Sequence, residues 1–372
     1  MSRSMRLALS LVLGSAACGG TPAPTVKSPA AAAAPARDDR ALRAFVEGAS
    51  LLARGTERST ERAIERLGEA VSLDPALWEA HHDLGVALRR RGELAPAHEH
   101  FARAHALAPS APEPLWGLAE CELVQGARDD AAAHLEALVA LDPAREDATL
   151  ALAAVQRERG KLDEALARAR SVLMRDPRSH AALLEVARVY RTEGALDVAE
   201  LVLEKARALD DESAALHDEL GRLALARGDT QLAFTHFERA RTLDPRFLPA
   251  HLDEGSVLLR AGDYDAAERV YRAAVQVDGG PEAMIGLAIA QRGRGKYKEA
   301  RATYEKVLKE RPSEPAALFD LGVLLADFMD ARAEAVNYFE RYLAVAPLRD
   351  SHRETAERYL QDIRMSLGSP PP

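Results

Sequence analysis

"DLGVALRRRGELAPAHEHFARAHALAP", residues 83–109, carries two apolar faces at helical spacing, a glycine between them and a proline at the end. Leu84 and Leu88 lie one turn apart before Gly92, and Ala97, Phe101 and Ala104 recur at the same spacing after it. Steps of three and four residues put each set on one side of a helix. Gly92 permits the left-handed conformation that stops the first helix and turns the chain back. Pro109 blocks continuation of the second. The stretch predicts two short antiparallel helices packed face to face.

The same pattern runs along most of the chain, in nine units: 41–77, 78–111, 112–145, 146–179, 180–213, 214–247, 248–280, 281–314 and 315–349. One alanine marks the register at Ala63, Ala97, Ala131, Ala165, Ala199, Ala233, Ala267, Ala300 and Ala335. Six consecutive intervals are 34 residues, followed by 33 and 35. The eighth position is always glycine or alanine, as at Gly85, Ala119 and Gly221. The fifteenth is glycine in eight units, from Gly55 to Gly295, and Met329 replaces it in the ninth. Small residues at the eighth and twentieth positions allow the two backbones of a unit to approach closely. Most units end in proline; the fifth and seventh do not, and the first carries three extra residues around "TERST".

These motifs resemble the tetratricopeptide repeat. The resemblance covers residues 41–349 and implies an all-α superhelical solenoid of about nine helix-turn-helix repeats. "SHRETAERYLQDIRMSL", residues 351–367, is charged on one face and reads as the capping helix that covers the last apolar surface of such an array. Residues 368–372 read as a disordered tail.

Composition narrows the function. The chain is 47% hydrophobic and 29% charged, enough to bury a sizeable core. Aromatic residues supply 5%, while alanine fills about one position in five, which suits closely packed helices. The net charge is −9 with arginines spread along the chain, so no basic face displaces phosphate counterions and nucleic acid is not an expected partner. Two cysteines cannot build a disulfide framework. Beyond residue 18 no apolar run approaches the ~18–20 residues that span a bilayer.

"MSRSMRLALSLVLGSAACGG", residues 1–20, places Arg3 and Arg6 before an apolar run and then small residues. That is the layout of a secretory signal peptide over residues 1–17, too short for a transmembrane helix. "SAAC", residues 15–18, resembles the lipobox of bacterial lipoproteins, in which the cysteine is acylated and becomes the first residue after cleavage. The resemblance implies lipid attachment at Cys18 and a membrane anchor. Ser15 departs from it, because an aliphatic residue is usual there, so ordinary cleavage stays open. Residues 18–40 hold this cysteine and a Pro/Ala-rich linker, "GGTPAPTVKSPAAAAAPARDD", that could reach ~60 Å at ~3.1 Å per residue. Gly19 is not the aspartate that retains some lipoproteins at the inner membrane, which favours the outer one.

Repeats and cap occupy nearly all of residues 41–367 and leave no separate catalytic domain. Six of the eleven histidines fall on two repeat positions, His81, His217 and His251 on the fourth and His100, His134 and His236 on the twenty-third. Such register points to packing rather than metal ligation. His98 and His105 are too far apart for chelation by one helix. "GRGK", residues 293–296, lacks the serine or threonine of a phosphate loop. Cys121 reads as a small buried thiol. No catalysis, metal or cofactor is expected.

The tetratricopeptide resemblance implies a concave surface, lined by the first helices, along which protein partners lie. Chaperone-binding members use a carboxylate clamp of asparagine and lysine; the only asparagine here is Asn337, on a second helix. The fifth position is instead large and apolar at Phe45, Trp116, Leu150, Leu184, Leu252, Ile285 and Phe319, with His82 and Asp218 as exceptions. Beside it, at the ninth, twelfth and thirteenth positions, stand arginines that include Arg188, Arg191 and Arg222. An apolar stripe flanked by arginine suits a helical or extended segment with apolar anchors and scattered acidic groups. The alternative is that these side chains pack against the next unit, or pair with nearby carboxylates.

Signal, cysteine, linker, repeats and cap together resemble bacterial lipoproteins of the pilotin type, which serve pilus and secretin assembly, and components of gliding-motility machinery. "YFERYLAVAP" (338–347) and "AERYLQDI" (356–363) look most like the gliding-motility members. The expected function is therefore an envelope scaffold or assembly factor. A soluble periplasmic or cytosolic adaptor, or an accessory subunit presenting substrates to a separate enzyme, are the alternatives.

Overall fold

The computed structural model describes residues 39–366 and Gly368. The expected signal peptide, Cys18 and the linker up to residue 38 lie outside the described residues, as does nearly all of the tail. The described residues form nineteen α-helices and no strand.

Helices pair in chain order: α1 (Asp39–Ala53) with α2 (Glu57–Leu73), α3 (Trp78–Arg90) with α4 (Leu94–Leu107), and α5 (Pro112–Gln125) with α6 (Arg128–Leu141). Next come α7 (Glu146–Glu158) with α8 (Leu162–Arg175), α9 (His180–Glu193) with α10 (Leu196–Arg207), and α11 (Ala214–Ala226) with α12 (Thr230–Leu243). The series ends with α13 (Leu248–Ala261) and α14 (Tyr264–Val277), α15 (Pro281–Gly293) and α16 (Tyr297–Glu310), then α17 (Pro315–Val323) and α18 (Arg332–Val345). Successive first helices also touch, as α7 does α9 and α13 does α15, whereas among the described residues successive second helices come less near. Closer spacing on one side curves the array, with the first helices inside. This is a tetratricopeptide-type solenoid.

Small residues hold it together. All nine register alanines are completely buried. At the eighth position the ring of a second-helix aromatic takes the room that a side chain would need: a β-carbon on Gly85 would lie 2.9 Å from Phe101, and one on Gly221 would lie 2.5 Å from Phe237. The mid-unit turns close as the glycines predict. Gly126 has φ +77°, its N–H bonds the Leu123 carbonyl at 3.1 Å, and the Ala127 N–H bonds that of Glu122 at 2.8 Å.

The departures from 34 residues have distinct structural outlets. The three extra residues of the first unit become an added turn of α2, capped where Thr56 and Ser59 exchange side-chain bonds with each other's backbone N–H at 3.0 and 3.2 Å. The seventh unit is shortened at the turn 278–280, between α14 and α15. The extra residue of the ninth becomes a π-helical turn, Leu324–Phe328, that prolongs α17; Asp330 takes φ +50° and the Ala331 N–H reaches back to the Leu325 carbonyl at 2.9 Å.

The last helix, α19 (Arg353–Ser366), buries Ala356, Leu360 and Ile363 against the final unit. Tyr359 stacks on Phe339 with centroids 4.9 Å apart, and Arg353 donates to the Leu343 and Ala346 carbonyls that end α18. The helix is placed as a cap. No described helix is long and apolar enough to cross a membrane.

Candidate protein-binding groove

All seven apolar fifth-position residues lie on first helices, hence on the concave side. Six are half-buried, the exposure expected of a contact surface. Leu184 departs from the row: at 3% exposed it packs in the core between α9 and its neighbours, among Leu183, Leu203 and Leu216. Phe319 is covered in part by Tyr342 and by His352, whose ring centroid lies 4.7 Å away. Trp116 carries the Arg145 guanidinium 5.0 Å from its ring centroid.

The arginines are already partnered. Arg188 donates to Glu219 at 2.6 Å and lies 3.4 Å from Glu185; Arg191 reaches Glu219 at 3.4 Å; Arg222 bridges Asp253 at 2.7 Å and Asp218 at 3.1 Å. A rule emerges that links the twelfth position of one unit to the sixth of the next, in Arg157–Glu185, Arg191–Glu219 and Arg292–Asp320. Burial alone would raise the Glu219 carboxyl, but Arg188, Arg191 and Arg222 outweigh it and hold it below its ordinary range. Arg188, Arg191 and Arg222 therefore tie neighbouring units together, the alternative left open by the sequence, and do not form a free basic strip.

Between α13, α15 and the start of α17 the face deepens into a recess of about 950 Å³. Leu252, Ile285 and Ile289 form its apolar floor, with Tyr271 beneath and Arg222, Asp253, Asp278, Glu282, Arg311 and Glu314 around it. The recess draws on four units, so no single repeat signals it.

Comparison with known proteins agrees with this architecture. The sequence profile of the tetratricopeptide repeat family matches residues 83–146, 150–214, 219–283, 252–315 and 285–350. The chain belongs to the tetratricopeptide repeat family. A tetratricopeptide repeat protein from Parabacteroides merdae is similar in structure with a TM-score of 0.61 and 17% identity, over 68% of this chain and 100% of that one. Pseudomonas aeruginosa pilF matches with a TM-score of 0.48 and 21% identity, over 59% of this chain and 97% of its own. At 17% identity the likeness to the Parabacteroides merdae protein is one of fold. No curated protein matches the chain in sequence. Tetratricopeptide repeats make this chain a protein–protein interaction scaffold in design.

The repeat register also accounts for the histidines. His81, His217 and His251, at the fourth position, donate through Nε2 to the carbonyls of Pro75, Asp211 and Pro245 and so pin the preceding inter-unit turn. Their Nδ1 atoms meet the twenty-third position where it is histidine: His81–His100 at 3.0 Å and His217–His236 at 3.2 Å. His98 and His134 bond the two oxygens of buried Glu122 at 3.0 and 2.8 Å. Among the described residues no group of three or more His, Cys, Asp or Glu is placed to hold a metal ion. Cys121 is a buried free thiol, pushed up to about 11 by burial.

Proposed function

We propose that this chain is a lipid-anchored scaffold of a bacterial cell envelope that holds a protein partner in its first-helix groove. The observation that carries the groove is the set of half-buried apolar side chains on the first helices at Phe45, Trp116, Leu150, Leu252 and Ile285, the last two of which line the recess. A rigid curved surface with half-buried apolar anchors binds a segment with little ordering cost of its own. The anchor rests on the N-terminal sequence alone: paired arginines, an apolar run and "SAAC" ending at Cys18. Several acyl chains there would hold the protein firmly, since each buried methylene contributes ~0.8 kcal/mol. The outer membrane is the favoured location, and assembly of gliding-motility, pilus or secretin machinery the leading roles, on the likeness of layout. This reading assigns the chain no catalytic step.

Metabolic labelling with radioactive palmitate, followed by membrane fractionation, tests the anchor. The wild-type protein should be labelled and membrane-bound, and Cys18→Ser unlabelled and released. An unlabelled wild-type protein that retains residues 1–17 would overturn the envelope assignment.

A further inference from the structure

The concave face differs in charge chemistry along its length. From α7 to α11 its arginines and carboxylates cancel in the ladder described above. At the recess they do not. Arg222 is already shared between Asp218 and Asp253. Among the described residues Asp278, Glu282 and Glu314 form no ion pair, and Arg311 is the one unpaired cation beside them.

The shortened turn explains part of this. At the end of other units an aspartate accepts the backbone N–H two residues on, as Asp74 does from Ala76, Asp142 from Ala144, Asp176 from Arg178 and Asp244 from Arg246, at 2.9–3.1 Å. Asp278 stands at the corresponding place, but the turn is one residue shorter and runs through Gly279 and Gly280. Its carboxylate makes no such bond and lies exposed at the mouth of the recess. The shortened turn beside the recess therefore leaves a negative charge free at its edge.

We infer that the recess between α13, α15 and α17 is the docking site for a partner segment that inserts apolar side chains over Leu252, Ile285 and Ile289 and sets basic side chains against Asp278, Glu282 and Glu314. Three carboxylates against one arginine around an apolar floor favour a cation where water is partly excluded. The volume is comparable with the ~300–1,000 Å³ that accommodates a small ligand, so it takes a few side chains rather than a whole helix. A second copy of this chain, with net charge −9, is the poorer complement. This inference rests on the proposed scaffold role and names the chemistry of its partner, which is basic and not acidic as the sequence pattern had suggested.

Fluorescence anisotropy with the full chain and two labelled peptides of equal length tests it, one alternating lysine with leucine and one glutamate with leucine. The lysine–leucine peptide should bind at least tenfold more tightly, and less so as salt rises. Glu282→Lys with Glu314→Lys should weaken it tenfold or more. Glu99→Lys with Glu238→Lys, which changes the net charge equally on the second helices, should leave it within twofold. If the first pair lowers helicity, Glu282→Gln with Glu314→Gln takes its place, with a loss of threefold or more expected. Equal binding of the two peptides, or an equal loss in the control pair, would overturn the inference. Should the lysine–leucine peptide fail while a probe at Trp116 still captures a partner in cells, the scaffold role stands and only this site falls; failure of both removes the role.

Discussion

Phe101 lies across Gly117 so closely that a β-carbon on that glycine would sit 2.5 Å from two ring carbons. The same ring covers Gly85 in its own unit, so one aromatic side chain joins two repeats through two missing side chains. In two units where the eighth position is alanine the second helix supplies leucine instead, Ala119 with Leu135 and Ala187 with Leu203, while Ala288 shares its cluster with Tyr304.

Gly117→Ala should destabilise the chain by about 1 kcal/mol: helix propensity returns ~1 kcal/mol, and overpacking costs ~1–3 kcal/mol. Adding Phe101→Leu should relieve the clash, giving a favourable coupling in a double-mutant cycle read by urea denaturation. A rise in stability from Gly117→Ala alone would contradict the packing described.

Glu219 is the shared acceptor of Arg188 and Arg191 and lies next to Arg222, with 1% of its surface exposed. Glu219→Leu leaves the half-buried Arg191 without its carboxylate and takes one partner from Arg188, and should cost about 2 kcal/mol. The loss should persist in high salt, because buried pairs are poorly screened. Thermal unfolding followed by circular dichroism measures both effects.

Acid should loosen the array at the paired histidines. Burial lowers His81, with His100 and Arg103 adding to it, and lowers His217 and His236 likewise; burial outweighs Glu99 to lower His100. The unfolded chain then binds protons that the folded chain does not. Their contribution is complete above about pH 6.5 and is lost as pH falls below it. Urea midpoints should drop between pH 7.5 and 5.5, and less steeply in His100→Leu with His236→Leu.

Asp218 has the opposite sign. Burial raises its carboxyl to about 7 despite Arg222, with Asp253 and Glu219 adding to the rise. The folded chain holds this proton after the unfolded one has lost it, so the group penalises folding increasingly as pH climbs from about 4 to 7. Asp218→Asn should therefore raise the melting temperature at pH 8 and leave it nearly unchanged at pH 4.

The repeats, their turns and the cap are legible in the sequence because glycine, alanine and proline there answer to local geometry. Gly126 at φ +77° and Ala97 at 0% exposure need no distant partner to be read. What the sequence leaves ambiguous depends on neighbours one unit away. Leu184 shares a repeat position with Leu252, yet one is core and the other groove, because side chains of the next unit decide. Arg188 and Arg191 look free until Glu219, some thirty residues on, is placed beside them. The recess is lined by side chains of several units, and the shortened turn at Asp278 beside it reads in the sequence as a small lapse of register.

The most direct measurement is photo-crosslinking in living cells of the source organism, from a probe built in place of Trp116. The account predicts capture of one defined envelope protein, lost when Leu150 and Leu252 are replaced by aspartate in a chain that stays helical. Capture of cytosolic proteins, or no capture by a folded chain, would contradict it.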